Sequence, residues 1–577
     1  MKNLLKYLKH YSKESIIAPL FKMLEASFEL FIPIVMAEII DVGIKNTDQP
    51  YIWKMCVVMV FLGVLGLICS LTAQYFAAKA AWGFGTELRK DMYDHIHALS
   101  YTELDMAGTP TLVNRMTSDI MQVQTGVNMA LRLFLRSPFL VVGAVCMAFT
   151  ISRKLTIVFL AAVLGIGLVL YLITRVTIPL YGNIQKILDK IVLLTRENYV
   201  GARVVRAFSR EKVEQKEFFQ VNEHMEETQM HAGNIAALMN PLTFVLVNLA
   251  IVVILWAGGH QVQEGSLSQG QIVALVNYMS QILLALTALA NLMLIFTRAA
   301  ACAGRVNEVF ELKPSMKNGT QEADKRKKQG YEVAFEHVTF SYQNAQEPSL
   351  SDITFSVEKG QTIGVIGATG SGKSTLLQLI GRFYDCQQGK VSVDGLDVRE
   401  YRMDALRNKI GMVPQKAMLF KGTIRSNLLW GKPEAQNEEL WKALEIAQAR
   451  QIVENKNGKL DSEVEMYGRN FSGGQRQRIT IARALVRKPE ILILDDSTSA
   501  LDYATDEAFR SALHANKGEM TVFAASQRAA AVRHADRILV LDDGKLVGNG
   551  THEELLKTCE VYREICRSQF SGEEGEG

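Results

Sequence analysis

The run Gly367-Ala368-Thr369-Gly370-Ser371-Gly372-Lys373-Ser374-Thr375 carries the clearest chemistry in the 577 residues. It matches the pattern GxxxxGK[ST]. An apolar run, Thr362–Ile366, precedes it and a helical stretch, Ser374–Arg382, follows, which is the strand–loop–helix setting the pattern requires. Glycines let backbone N–H groups close around phosphates, and the N-terminus of the following helix favours negative charge. Lys373 is expected to reach the β- and γ-phosphates of a nucleoside triphosphate and Ser374 to hold Mg²⁺, with Ser371 and Thr375 in the same cradle. A second element fits the first: Ile491–Leu494 reads as a buried strand ending in Asp495, a carboxylate placed to bind Mg²⁺, usually through water. Without the loop, that carboxylate would read as a helix cap after a core strand.

Phe471-Ser472-Gly473-Gly474-Gln475 stands before a helix that begins Arg476-Gln477-Arg478. This segment resembles the LSGGQ signature of ATP-binding cassette proteins. Val413-Pro414-Gln415 is similar to the family's Q-loop and Ser499-Ala500-Leu501-Asp502 to its D-loop, so that residues 331–565 as a whole resemble the cassette. Tyr342, upstream of the loop, matches the family's adenine-stacking aromatic, an ordinary use of a π face. The resemblance implies ATP and Mg²⁺ as ligands, with Gln415 joining Ser374 and Asp495 at the metal. It also implies that two cassettes close head to tail, each ATP held between one chain's phosphate loop and the other's Ser472–Gln475 and Asp502.

Three departures from the family pattern matter. The catalytic glutamate position, next to the Mg²⁺-binding aspartate, is Asp496. The switch-histidine position falls in Ser526-Gln527-Arg528 and is Gln527. The TEVGERG-like stretch before the signature reads Ser462-Glu-Val-Glu-Met-Tyr-Gly468, with Met466 where the second acidic residue is expected. Aspartate is one methylene shorter than glutamate, and a misplacement on the scale of 1 Å can cost about 10²-fold in rate. Glutamine can hydrogen-bond a phosphate but cannot carry the charge or proton that histidine does. Phosphate binding is therefore expected to survive and water activation to fail, whereas the signature is intact apart from the apolar exchange at Phe471.

These residues need elements to position them. The chain is uneven: long apolar runs fill the first 310 residues or so, and short strand-like and helical runs alternate after Tyr331, the pattern of an α/β domain. Six stretches can cross a hydrocarbon core, which needs about 20 mainly apolar residues: Ile16–Val42, Trp53–Ala78, Val127–Ile151, Leu155–Leu180, Ala236–Gly258 and Ile272–Phe296. Helical patterning runs on beyond the membrane after the second and fourth; Gly83–Ser100 alone would add roughly 27 Å at 1.5 Å per residue. Each extension turns back once, near Asp105–Asn114 and near Val200–Phe208. Lys2, Lys6, Lys9 and Lys13, with Arg196, Arg203, Arg206 and Arg210, put both the N-terminus and these extensions in the cytoplasm, against which Arg153 and Lys154 weigh slightly. The expected domains are a membrane domain at 1–312, a polar linker at 313–330, the cassette at 331–570 and a Gly/Glu-rich disordered tail at 571–577.

Six spans, two cytoplasmic extensions and a C-terminal cassette resemble the type IV, or B-family, exporter architecture, nearly over the whole chain. The two turns match that family's coupling helices. A spoiled phosphate-loop site beside a sound signature resembles the degenerate-site subunit of heterodimeric bacterial multidrug exporters. The resemblance implies a different half-transporter as partner, a bacterial inner (plasma) membrane location, and efflux of amphipathic drugs, lipids or peptides. A slow homodimer, a non-pumping regulator and a siderophore-type importer are the alternatives. Within the spans, Glu25 and Glu29 share one face of the first helix and either line a cation-attracting cavity or pair with Lys22. Arg132, Arg136, Asn240, Asn248, Asn277 and Asn291 are equally open as cavity or interhelical residues.

Composition excludes other classes. A net charge of +3 is far too small for a phosphate-backbone surface, so nucleic acid is not expected as a partner. Seven scattered cysteines without a CxxC pair support neither a zinc site nor a disulfide framework. No cleavable signal peptide, transit peptide or leading peptidase domain is expected, since the basic start runs directly into the first span.

Overall fold

The computed structural model describes residues 4–322, 331–343, 345–515, 518 and 520–569. The expected linker lies partly, and the expected tail wholly, outside the described residues. By contacts the chain divides into two compact units. One comprises Met1–His97 with Thr109–Leu312; the other comprises Ala98–Gly108 with Lys313–Gly577.

The first unit is helical throughout. Among the described residues, five helical stretches are long and apolar enough to cross a membrane: Gln49–Ala98, Thr109–Ile151, Arg153–Val200, Glu211–Gln263 and Gln269–Glu311. The 50-residue stretch Gln49–Ala98 is about 75 Å long, more than twice a hydrocarbon core. The helix Ser12–Glu38, overlapping the expected first span, falls short on composition because it carries Lys13, Glu14, Lys22, Glu25, Glu29 and Glu38. Its outer face is nonetheless an apolar stripe of exposed Ile16, Leu20, Leu24 and Phe31, while Ala26, Leu30 and Ala37 are buried against other helices. Tyr278 of the last helix donates to the Leu30 carbonyl at 2.6 Å, tying the two together. Small residues at the contacts (Ala144, Ala148, Ala250, Ala274) let backbones approach, as helix packing in lipid favours.

The second unit holds two main sheets. The antiparallel one runs Leu350–Val357, Val333–Phe340, Gln388–Val393, Leu396–Asp397. The larger orders its six strands Lys545–Gly550, Arg537–Asp542, Thr362–Ile366, Thr521–Ser526, Ile491–Asp495, Ile410–Val413. All neighbours in it are parallel except the first pair. Its inner strands are continuous apolar runs, Ile491–Leu494 among them, as burial on both faces demands. A second apolar core, with Leu440, Leu444, Ile479 and Ile481, lies under the signature helix.

The short helix Tyr101–Ala107, the tip of the first extension, belongs to this second unit. Ser100 and Glu103 close its N-terminus as a reciprocal cap, and Gly108 ends it at φ 72°. Tyr101 packs edge-on against Phe383 at 5.0 Å between ring centres, and Tyr384 donates to Asp105 Oδ2 at 2.6 Å. Residues 313–322 are strapped alongside: Ser315 N–H donates to Glu103 and Met316 N–H to Ser100, while Gly319 and Gln321 N–H donate to the Tyr401 and Glu400 carbonyls. The second turn, in the other unit, is the helix Ala202–Ala207, and it exposes Tyr199, Val200, Val204 and Phe208.

Candidate nucleotide site

Parallel register brings the chemistry to one sheet edge. Ile366 pairs with Ser526, and Asp495 with Ala525, so the strands end together. The phosphate loop, the Asp495–Asp496 pair and Gln527 therefore emerge side by side, at the carboxyl ends where open α/β sheets bind ligands.

Gly370 and Gly372 take φ values of 85° and 97°, which favour glycine. At Gly367 the demand is steric: a Cβ there would lie 2.1 Å from the Leu541 carbonyl oxygen. Lys373 is buried inside this turn and donates to the carbonyls of Gly367 at 2.9 Å and Ala368 at 2.6 Å, with Ser371 Oγ at 3.4 Å. Burial pulls the Lys373 ammonium below its usual range, and the charges of Asp496 and Asp495 push the other way. Ser374 Oγ donates to Asp495 Oδ1 at 2.7 Å. Burial raises the Asp495 carboxyl, and the neighbouring Asp496 charge adds to that. Burial likewise raises Asp496, which Lys373 and a hydrogen bond from Gln415 oppose. A hydroxyl and two carboxylates with one lysine among them form a hard-oxygen set short of positive charge, which suits Mg²⁺.

Asp496 sits at φ 44°, its N–H held by the Ala525 carbonyl at 3.1 Å. Gln527 accepts from Thr369 Oγ1 of the phosphate loop at 3.2 Å, and its backbone carbonyl is held by Gln569 at 2.8 Å. Tyr342 places its hydroxyl on Gln378 and Thr375, each at 3.1 Å, and packs edge-on against Tyr384 at 5.3 Å. Tyr342 and Tyr384 line a cavity of about 530 Å³ together with Thr102, Asp105 and Met106 of the short helix, and no phosphate-loop residue lines it.

The signature lies apart from this edge. Ser472 caps the helix Gly473–Val486, its Oγ accepting from Gln475 N–H at 3.4 Å while Gln475 Oε1 accepts from Ser472 N–H at 3.1 Å. Among the described residues, no hydrogen bond or ion pair joins Ser472–Gln475 to Gly367–Thr375. A Cβ on Gly473 would meet nothing within 4 Å, whereas one on Gly474 would approach the Ala500 carbonyl to 3.0 Å. Asp502 caps the helix Tyr503–Ala515 through Thr505, whose hydroxyl bond leads the causes that lower its carboxyl. Met466 and Tyr467 are exposed just ahead of the signature.

Of the two membrane carboxylates that the sequence offered to Lys22, Glu25 takes it and Glu29 does not. Lys22 holds Glu25 alone at 2.5 Å and also donates to Ser70. Glu29 pairs instead with Arg136 of the third stretch at 2.7 Å. Asn248 and Asn277 donate to carbonyls of their own helices, Phe244 and Val273, not across helices. The Tyr384–Asp105 bond was equally invisible in sequence, since nothing in either segment points to a residue nearly half the chain away.

Comparison with known proteins fits this geometry. Residues 15–286 match the ABC transporter transmembrane region and residues 350–499 the ABC transporter family model. An uncharacterised ABC transporter ATP-binding protein of Mycobacterium tuberculosis is 37% identical over 570 residues, covering 98% of this chain and 97% of that one. An ATP-dependent lipid A-core flippase of Sodalis glossinidius is 30% identical over 560 residues, covering 96% and 95%. The solved structure of a bacterial Atm1-family ABC exporter with ATP bound shares the fold at TM-score 0.81 and 21% identity, over 97% of this chain and 99% of that one.

Proposed function

The chain belongs to the ABC transporter family, as an ATP-driven, multi-pass membrane exporter with a cytoplasmic ATP-hydrolysing cassette, and we propose that it is the degenerate-site half of a heterodimer. In this reading its phosphate loop holds Mg-ATP through Lys373, Ser374, Asp495 and Gln415, with Tyr342 at the adenine. Its Ser472–Gln475 and Asp502 complete the partner's site, where hydrolysis occurs. Mg²⁺, when bound, offsets charge on the β- and γ-phosphate oxygens.

The observation that carries the proposal is the pairing of Asp496 and Gln527 at one site with an intact, exposed signature. The Asp496 carboxylate is shorter than a glutamate's and already engaged by Gln415, so it is poorly placed to take a proton from an attacking water. Gln527 is neutral and hydrogen-bonded to Thr369. Loss of a well-positioned general base costs about 10²- to 10⁴-fold. The exposed apolar tip at Tyr199, Val200, Val204 and Phe208 also fits a chain that docks on a second cassette.

The substrate class is an amphipathic small molecule moved out of the cytoplasm across the bacterial inner membrane; the similarity to lipid A-core flippases favours its lipid-like end. Purified alone, the chain is expected to turn over little ATP, and a different half-transporter is expected to co-purify with it. A stable homodimer with vigorous hydrolysis would overturn the proposal.

A further inference from the structure

On the far side of the helix that follows the D-loop segment, a cavity of about 340 Å³ opens between that helix, Tyr503–Ala515, and the strands Ile491–Asp495 and Thr521–Ser526. One end is apolar, walled by Phe509, Leu513 and Val532. The other is polar, built from Ser497, Asp506 and Arg510. Ser497 and Asp506 are only 1% and 8% exposed, yet among the described residues Ser497 Oγ, Asp506 Oδ1 and Arg510 Nε have no partner at hydrogen-bond distance, although the Thr498 side chain interacts with the Asp506 carboxyl. The remaining guanidinium nitrogens of Arg510 are engaged: Nη1 donates to the Ala530 carbonyl and Nη2 to Asp506 Oδ2, each at 2.6 Å. Buried polar atoms are ordinarily paired, and three such atoms on residues that line one cavity point to a missing partner.

We propose that this cavity is a binding site for a small aromatic amide. The polar end offers two donors, the Ser497 hydroxyl and Arg510 Nε–H, and one anionic acceptor, Asp506 Oδ1. An amide group answers all three at once: its N–H donates to Asp506 and its carbonyl accepts from Arg510 and Ser497. A carboxylate would face the Asp506 charge, and a hydrocarbon would leave every orphan unpaired. The flat body lies against Phe509, Leu513 and Val532, and the volume falls at the small end of ligand sites, about 300–1,000 Å³. Ser497 directly follows Asp496, so an occupant braces the segment between the Mg²⁺-type carboxylates and Asp502 and alters ATP turnover.

The test uses the full chain in its assembled, detergent-solubilised complex, saturated with a non-hydrolysable ATP analogue so that the nucleotide site is blocked. Benzamide, benzoate and toluene are titrated by saturation-transfer NMR. Saturable benzamide binding, at least tenfold tighter than either comparator, is expected. Ser497→Ala is expected to weaken benzamide several-fold and leave toluene unchanged, and Ala535→Phe, which fills the cavity from its wall, to abolish binding. If Ala535→Phe does not fold, Ser497→Ala carries the comparison. Equal binding of the three probes, no saturable benzamide binding (a cavity holding water alone), or indifference to Ser497→Ala would each overturn the proposal.

Discussion

At the phosphate-loop edge of the cassette, the chain satisfies its own polar groups; at the signature, it does not use what it displays. Lys373 is folded onto loop carbonyls, Ser374 onto Asp495, and Gln527 onto Thr369. Gly367 is required by a carbonyl packed against it. Gly473, by contrast, has empty space where a side chain would go, and Ser472 does nothing internally beyond capping one helix. An unobstructed glycine at an exposed helix start leaves room for close approach of something outside the chain. The first edge is thus internally paired, whereas the second leaves its signature residues unpacked, as the proposed half-site would require.

The contrast breaks most visibly at the signature. Gly473→Leu is expected to leave this chain's folding and ATP affinity intact but to reduce turnover of the assembled complex by about 10²-fold or more, because the partner's nucleotide loses its lid. Melting curves and nucleotide binding on the same sample separate the two outcomes; a loss of turnover below threefold would refute the half-site reading. Lys373→Ala comes next, with ATP affinity at this chain's own loop expected to fall at least tenfold in equilibrium binding while the complex's turnover falls less.

In the membrane unit the effects are smaller. Because Glu25 pairs with Lys22 and Glu29 with Arg136, changing both carboxylates to Gln is expected to reduce export of cationic and neutral substrates alike, by a few-fold. Selective loss of cationic export in vesicle assays would restore the cavity reading. The smallest effect is on stability. Glu332 is buried beside Asp394 and Glu490, with Lys409 bridging those two and Lys359 nearby; burial, then the Asp394 charge, pushes its carboxyl up to about 7. A raised folded value means stability is fully present below the unfolded value, near 4.5, and is lost as pH rises through 7. The cassette's Tm is expected to fall by a few degrees between pH 6 and 8, and Glu332→Gln is expected to flatten that dependence without changing which site hydrolyses ATP.

Much of the nucleotide edge was legible because its signals are local: a strand, a glycine-rich turn and a helix in unbroken order, and a carboxylate closing a buried strand. The six-helix expectation also rested on local apolar runs; at Ser12–Glu38 the helix is there, but its charges, of which Lys22 and Glu25 pair with each other and Glu29 with Arg136, set it apart in composition from the other five. What was not legible depends on distant partners. Glu29 meets Arg136, and Asp105 meets Tyr384, through packing that no spacing rule encodes. The orphans around Ser497 were hidden for the same reason, since a residue two places after Asp495 shows its lack of a partner only once strands and helices surround it.

The division of labour between the two edges is tested most directly by one paired measurement of ATP turnover at saturating nucleotide, in a single reconstituted heterodimer. Asp496→Asn is expected to change the rate only modestly if, as proposed, the site it belongs to contributes little hydrolysis. Ser472→Ala is expected to lower it far more if, as proposed, that hydroxyl closes over the partner's nucleotide. If Asp496→Asn abolished turnover while Ser472→Ala preserved it, hydrolysis would lie at this chain's own phosphate loop, and the assignment of the degenerate site would be wrong.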